Sequence, residues 1–156
     1  MSDQSSFVMF ENQGHRKKEF ICGSRVSQKL GLVLKKQAPR YIIDYRIQSV
    51  SSKKVRGWLE VKCPNHNYGD FPTFYTSLKK WMALHEYANI PFCNTKSFLV
   101  VGYKNGDYIM DVSECDNTFI QEAGWNQPRV EEDIEPCIHI PISRLIKLEE
   151  SKWMKK

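Results

Sequence analysis

Gly57-Trp58-Leu59-Glu60-Val61-Lys62 sets three large apolar residues around one acid and one base, and it stops at Cys63-Pro64. Such a run predicts a β-strand, in which Glu60 and Lys62, two positions apart, project from the same face. Upstream, Tyr41-Ile42-Ile43-Asp44-Tyr45-Arg46-Ile47 is rich in β-branched and aromatic residues and predicts a second strand with Asp44 in its middle. Ser49-Val50-Ser51-Ser52-Lys53-Lys54 between them reads as a polar turn, so the two strands are expected to be adjacent and antiparallel. Neighbouring strands lie about 4.8 Å apart, close enough for the carboxylates of Asp44 and Glu60 to converge on one point.

Working outward, residues 15–37 predict a helix with Phe20, Val26 and Leu30 facing inward and Gly31 near its end. Gly23 weakens that helix, and Leu32-Val33-Leu34 can alternatively be a strand. Residues 1–14 read as a loose lead-in. Downstream, Pro64 to Pro72 is a loop rich in turn formers. Thr73 to Asn89 follows as a predicted helix, with Thr73 as N-cap and Phe74, Leu78, Trp81, Leu84 and Ala88 on one apolar face. Ser97-Phe98-Leu99-Val100-Val101-Gly102-Tyr103 is continuous enough in apolar character for a central strand buried on both faces. Asn105-Gly106 marks a hairpin returning through Tyr108-Ile109-Met110-Asp111-Val112. Residues 113–136 form an acidic, turn-rich surface excursion, and Cys137 to Ile142 a short closing strand. The order points to one α/β (α+β) domain over residues 1–156, a central mixed β-sheet flanked by helices.

The charge is unevenly placed. Residues 15–62 hold thirteen Lys/Arg against three acids, Glu19, Asp44 and Glu60, although the whole chain carries only +5. A block of that sign implies a polyanionic partner, with Lys53, Lys54 and Arg56 as candidate phosphate contacts. Five scattered cysteines without a C-x-x-C pair fit a reducing compartment. Cys63 with His66 and Cys137 with His139 lack the tight knuckles of a structural zinc site and read as buried thiols. No apolar run is long enough for a membrane span, and the first residues carry no secretory signal, so a cytoplasmic setting is expected.

Two close carboxylates repel each other unless a cation neutralises them, and hard oxygen ligands select Mg2+, with Mn2+ as substitute. The carbonyl of Val61 offers a further ligand. Lys62 beside such a centre can orient a water and hold a phosphate, adding positive charge where a phosphodiester transition state gains negative charge. The plainer reading makes Asp44 a partner of Arg46 or Arg56, and Glu60 with Lys62 a solvated ion pair.

Asp44, then Gly57 to Lys62, then a helix and a hydrophobic strand together resemble the PD-(D/E)XK nuclease superfamily over roughly residues 15–112. The resemblance implies a restriction-endonuclease-like core and a divalent-metal-dependent nuclease acting on DNA, branched or single-stranded DNA included. It also implies Asp44 and Glu60 as metal ligands, Lys62 as helper of the nucleophile, and Glu19 on the first helix completing the site, with Glu11 a competitor for that place. Tyr75 and Lys79 are then substrate contacts on the helix after the motif. Ile43 stands where the family name has Pro. A phage origin in a bacterial host and a homodimer would suit such an enzyme. Two rivals keep the same fold: a nucleic-acid-binding protein with little or no catalysis, and an endonuclease directed at RNA.

Overall fold

The computed structural model describes residues 13–38, 41–114, 123–125 and 136–150. In chain order its elements are α1 (Gln13–Leu30), β1 (Val33–Lys36), β2 (Tyr45–Gln48), β3 (Val55–Lys62), β4 (Thr73–Ser77), α2 (Leu78–Ala88), β5 (Lys96–Tyr103), β6 (Gly106–Asp111), β7 (Ala123–Trp125), β8 (Pro136–Pro141) and β9 (Ile146–Lys147). A mixed sheet runs β1-β2-β3-β5-β6-β9, and a smaller sheet runs β4-β8-β7. In the larger sheet only β3 and β5 are parallel, with β4 and α2 in the crossover that such a pair requires.

β2 and β3 are antiparallel neighbours, as their sequences predict, with Tyr45 opposite Leu59. Leu99, Val100 and Val101 on β5 have no exposed surface, which is the burial expected of a central strand covered on both faces. Cys22 and Val26 of α1 pack on one face against Leu59, Val61, Val100 and Ile109. Trp81 and Leu84 of α2 cover the other face with Leu99, Val101, Met110 and the β8 residues Ile138 and Ile140. Successive residues of β3 alternate between these layers, so Glu60 and Lys62 face α2 and the small sheet, while Val61 faces α1. The restriction-endonuclease-like arrangement of a mixed sheet between helices is thus present. Among the described residues no helix is long and apolar enough to cross a membrane.

Five expectations need correction or bounding. Phe20 is 68% exposed, because it lies about 200° around the helix from Cys22, which with Val26 defines the buried face. The helix expected over residues 15–37 ends at Leu30, where Gly31 (φ 64°) enters the left-handed region, and the alternative strand forms as β1 from Val33 to Lys36, without Leu32. Asp44 is not mid-strand: residues 41–44 bend, and β2 begins at Tyr45, because Asp44 spends its N–H on the Glu60 carboxylate. Thr73 does not start a helix. Residues 73–77 alternate between buried and exposed as β4, Ser77 caps α2, and β8 leaves the large sheet to pair with β4. Of the excursion at 113–136, residues 113–114 complete a 3-10 turn begun at Val112, 123–125 form β7 and Pro136 opens β8, while residues 13–14 of the lead-in already belong to α1; residues 115–122, 126–135 and 1–12, Glu11 among them, lie outside the described residues.

Candidate active site

The end of β3 and the bend before β2 bring the two carboxylates together. The Asp44 N–H donates to Glu60 Oε1 at 3.2 Å, and Asp44 Oδ2 accepts from the Val61 N–H at 3.3 Å. Since the N–H and C=O of one extended residue point to the same edge, the Val61 carbonyl faces the same gap, which β2 leaves open by starting at Tyr45, opposite Leu59 and two residues short of Val61. Lys36 Nζ lies 3.3 Å from Asp44 Oδ1.

Glu60 is 3% exposed, and its Oε2 takes a hydrogen bond from Lys80 Nζ. Burial pushes the Glu60 carboxyl up to about 8; Lys80 opposes that shift and the Asp44 carboxylate adds to it. Lys62, on the same face, is shifted downward by burial and by the charge of Lys80, while Glu60 and Glu19 pull the other way. Its Nζ sits 4.5 Å from the centre of the Tyr75 ring, a cation–π contact that fixes the ammonium at the mouth of the site. Tyr75 is 48% exposed and lies near His139 of β8, whose Nδ1 is 3.3 Å from Thr73 Oγ1.

Of the residues expected from sequence, the fold gathers Asp44, Glu60, Val61, Lys62 and Tyr75. Glu19, partly buried on α1, is close enough for its charge to act on Lys62, Tyr45 and Cys63. Tyr75 arrives from β4, not from the helix, so it and Lys79 are not one turn apart; Lys79 is exposed, and its neighbour Lys80 turns inward instead. Lys80 stands three and four residues before Ala83 and Leu84, on the edge of the buried stripe, a position open to a lysine that turns inward as well as to one that reaches water. Lys53, Lys54 and Arg56 are exposed at the other end of β3, and six residues of strand put Arg56 about 20 Å from Lys62.

A hard divalent cation fits this donor set. Two carboxylates close enough for their charges to act on each other, one of them buried, together with the neutral oxygen of the Val61 carbonyl, make an all-oxygen set of the kind such a cation takes. Among the described residues no group of three His, Cys, Asp or Glu side chains converges.

The sequence model of the family described as "Phage putative PDDEXK endonuclease" matches residues 7–148. Among solved structures, Hjc of Archaeoglobus fulgidus, a Holliday junction resolvase from an archaeal hyperthermophile, superposes with a TM-score of 0.52 at 12% identity. The match covers 85% of this chain and 93% of that one, a likeness of fold. No curated protein sequence matches the chain.

Proposed function

We propose, from the premise that the chain belongs to the phage PDDEXK endonuclease family, that it is a divalent-metal-dependent nuclease hydrolysing phosphodiester bonds in DNA, centred on Asp44, Glu60 and Lys62. The observation that carries this reading is the approach of Asp44 to Glu60: the Asp44 N–H holds the Glu60 carboxylate, the Asp44 charge acts on it, Glu60 is almost wholly buried, and a lysine shares its strand face. A purely structural ion pair has no need of the second carboxylate.

A cation held by Asp44, Glu60 and the Val61 carbonyl, Mg2+ with Mn2+ as substitute, would supply Lewis acidity toward a phosphate oxygen. The chain's own groups do the rest. Lys62, steadied by Tyr75, donates to the scissile phosphate or to the attacking water. Hydrolysis joins the water oxygen to phosphorus, releases a proton, and lets the ester oxygen leave protonated. Lys80 offsets the charge of Glu60, and Glu19 approaches from the α1 side.

The likeness to a Holliday junction resolvase makes branched DNA the first substrate to try, beside linear, circular and single-stranded DNA and RNA. Cutting two strands with one centre per chain would call for a symmetric dimer, which sedimentation reads. The test is cleavage in Mg2+, in Mn2+ and in EDTA. Cleavage should vanish in EDTA and fall on the order of a hundredfold or more in Lys62→Ala and in Glu60→Ala. Full activity in either variant would remove the assignment. Binding without cutting would move it to the non-catalytic rival, and cutting of RNA alone to the other.

A further inference from the structure

We propose that a recess between α1 and the β5–β6 hairpin is a second phosphate site, taking a backbone phosphate of the nucleic-acid strand that runs past the catalytic end of β3. The recess measures about 300 Å3 and is lined by Lys18 and Arg25 of α1, Cys63 and Asn65 beyond β3, Gly102 of β5 and Lys104 of the hairpin turn. Three cations and no acidic side chain line it. Lys18 and Arg25 are two helical turns apart, so they lie on one side of α1 and about 10 Å from each other.

Its walls are set before any ligand arrives. Arg25 is held in a fork by Asp107, Nε to Oδ2 and Nη2 to Oδ1, both at 2.8 Å, and Asp107 itself is 3% exposed. The guanidinium is thereby fixed while its acid stays beneath the surface. Lys18 Nζ reaches Asn65 Oδ1 at 3.5 Å across the recess. The hairpin is tied to the loop after β3 by the Lys104 N–H to the His66 carbonyl at 3.1 Å, and by the Tyr68 N–H to Asn105 Oδ1 at 2.7 Å. Donors already in place lose little freedom on binding.

Position favours a nucleic-acid strand over a free anion. Asn65 follows Lys62 by three residues, a span of at most about 11 Å, so recess and centre lie within a few nucleotides of each other. The turn carrying Lys53 and Lys54 stands at the opposite end of β3. The identity of the ligand rests on the nuclease reading; the anion site rests on the recess itself.

The experiment measures binding of labelled single-stranded and branched DNA in EDTA, across roughly 50–200 mM salt. Lys18→Glu/Lys104→Glu is compared with Lys53→Glu/Lys54→Glu and with Lys35→Glu on β1. Lys18 and Lys104 are both exposed, so the variant should fold, which melting verifies; Lys18→Gln/Lys104→Gln repeats the comparison without charge reversal. The recess pair should weaken binding about tenfold or more and flatten the salt dependence by between one and two phosphate contacts. Lys35→Glu should stay within about twofold. Unchanged binding in the recess variant, or an equal or larger loss in the Lys53/Lys54 variant, overturns the proposal. A wild type that binds DNA but cuts nothing in Mg2+ sinks the nuclease reading and leaves this comparison intact.

Discussion

Lys80 is the residue that holds Glu60 from the α2 side. Its Nζ meets Glu60 Oε2 while the Asp44 N–H donates to Oε1, and the Asp44 carboxylate has its own partner in Lys36. Removing one partner of a buried pair costs about 3–5 kcal/mol when the other must remain charged. Glu60 has an escape, because its carboxyl already stands at about 8 and can take a proton at neutral pH. Lys80→Met should therefore destabilise the metal-free protein by about 1–2 kcal/mol, less than the full penalty. With Mg2+ or Mn2+ present the deficit should shrink, since the cation would take over the neutralising role. Thermal melting of wild type and variant, in EDTA and in metal, reads both quantities. A deficit of the same size in both buffers would mean that Lys80 supports the fold independently of any cation. Spacing along a strand put Glu60 and Lys62 on one face, as β3 does, whereas Asp44 reaches Glu60 from the bend before β2 and not from mid-strand. Spacing did not identify Lys80, because a lysine beside an apolar stripe looks the same whether it reaches water or turns in.

At the scale of elements, what was legible depended on whether the buried face had one interpretation. β3 and β5 were readable: their apolar runs exceed what a surface strand would carry, and Leu59, Val61, Leu99, Val100 and Val101 are buried as that implies. Residues 73–77 were misread because Phe74 faces the core from a strand as well as it would from a helix, and its spacing to Leu78 and Trp81 imitates a helical stripe. The β-formers Thr73, Phe74, Tyr75 and Thr76 were the contrary signal. The partner that stabilises β4 is β8, more than sixty residues away, which local pattern does not reveal. The pairing of β3 with β5 also sets a requirement at its first step. A Cβ on Gly57 would come within 2.4 Å of the Lys96 carbonyl oxygen, a backbone atom that cannot swing aside. Gly57→Ala should therefore part the parallel strands locally and cost about 1–3 kcal/mol, an overpacking penalty. Chemical denaturation measures it, and a loss below about 0.5 kcal/mol would show that the strands have room to shift. Since Gly57 lies three residues before Glu60, a stable Gly57→Ala protein would also report whether strand spacing is transmitted to the centre.

Across the whole molecule, β3 acts as a ruler with chemistry at one end only. Asp44, Glu60, Lys62 and Tyr75 gather at its C-terminal end, where the loop after β3 and the β5–β6 hairpin also meet. The β2–β3 turn lies at the far end, closed within itself by the Ser49 N–H to Lys54 carbonyl bond and by the contact between the Ser49 and Ser52 hydroxyls. The basic block in the sequence spans both ends, and the fold sets Lys53, Lys54 and Arg56, the candidate phosphate contacts, at the end of β3 away from Asp44 and Lys62. That separation predicts opposite responses to one manipulation. Lengthening a surface loop costs little, about 0.6 kcal/mol per doubling, when its backbone makes few outside bonds. About five Gly/Ser residues inserted between Ser51 and Ser52 should leave DNA binding and cleavage within about twofold of wild type. The same insert between Lys104 and Asn105 should cut both by about tenfold or more, because it detaches Asn105 from Tyr68 and removes Lys104 from the rim shared with Asn65. Parallel melting separates local loss from unfolding. Equal damage from the two insertions would mean that the substrate wraps the whole length of β3, with Lys53, Lys54 and Arg56 among its phosphate contacts.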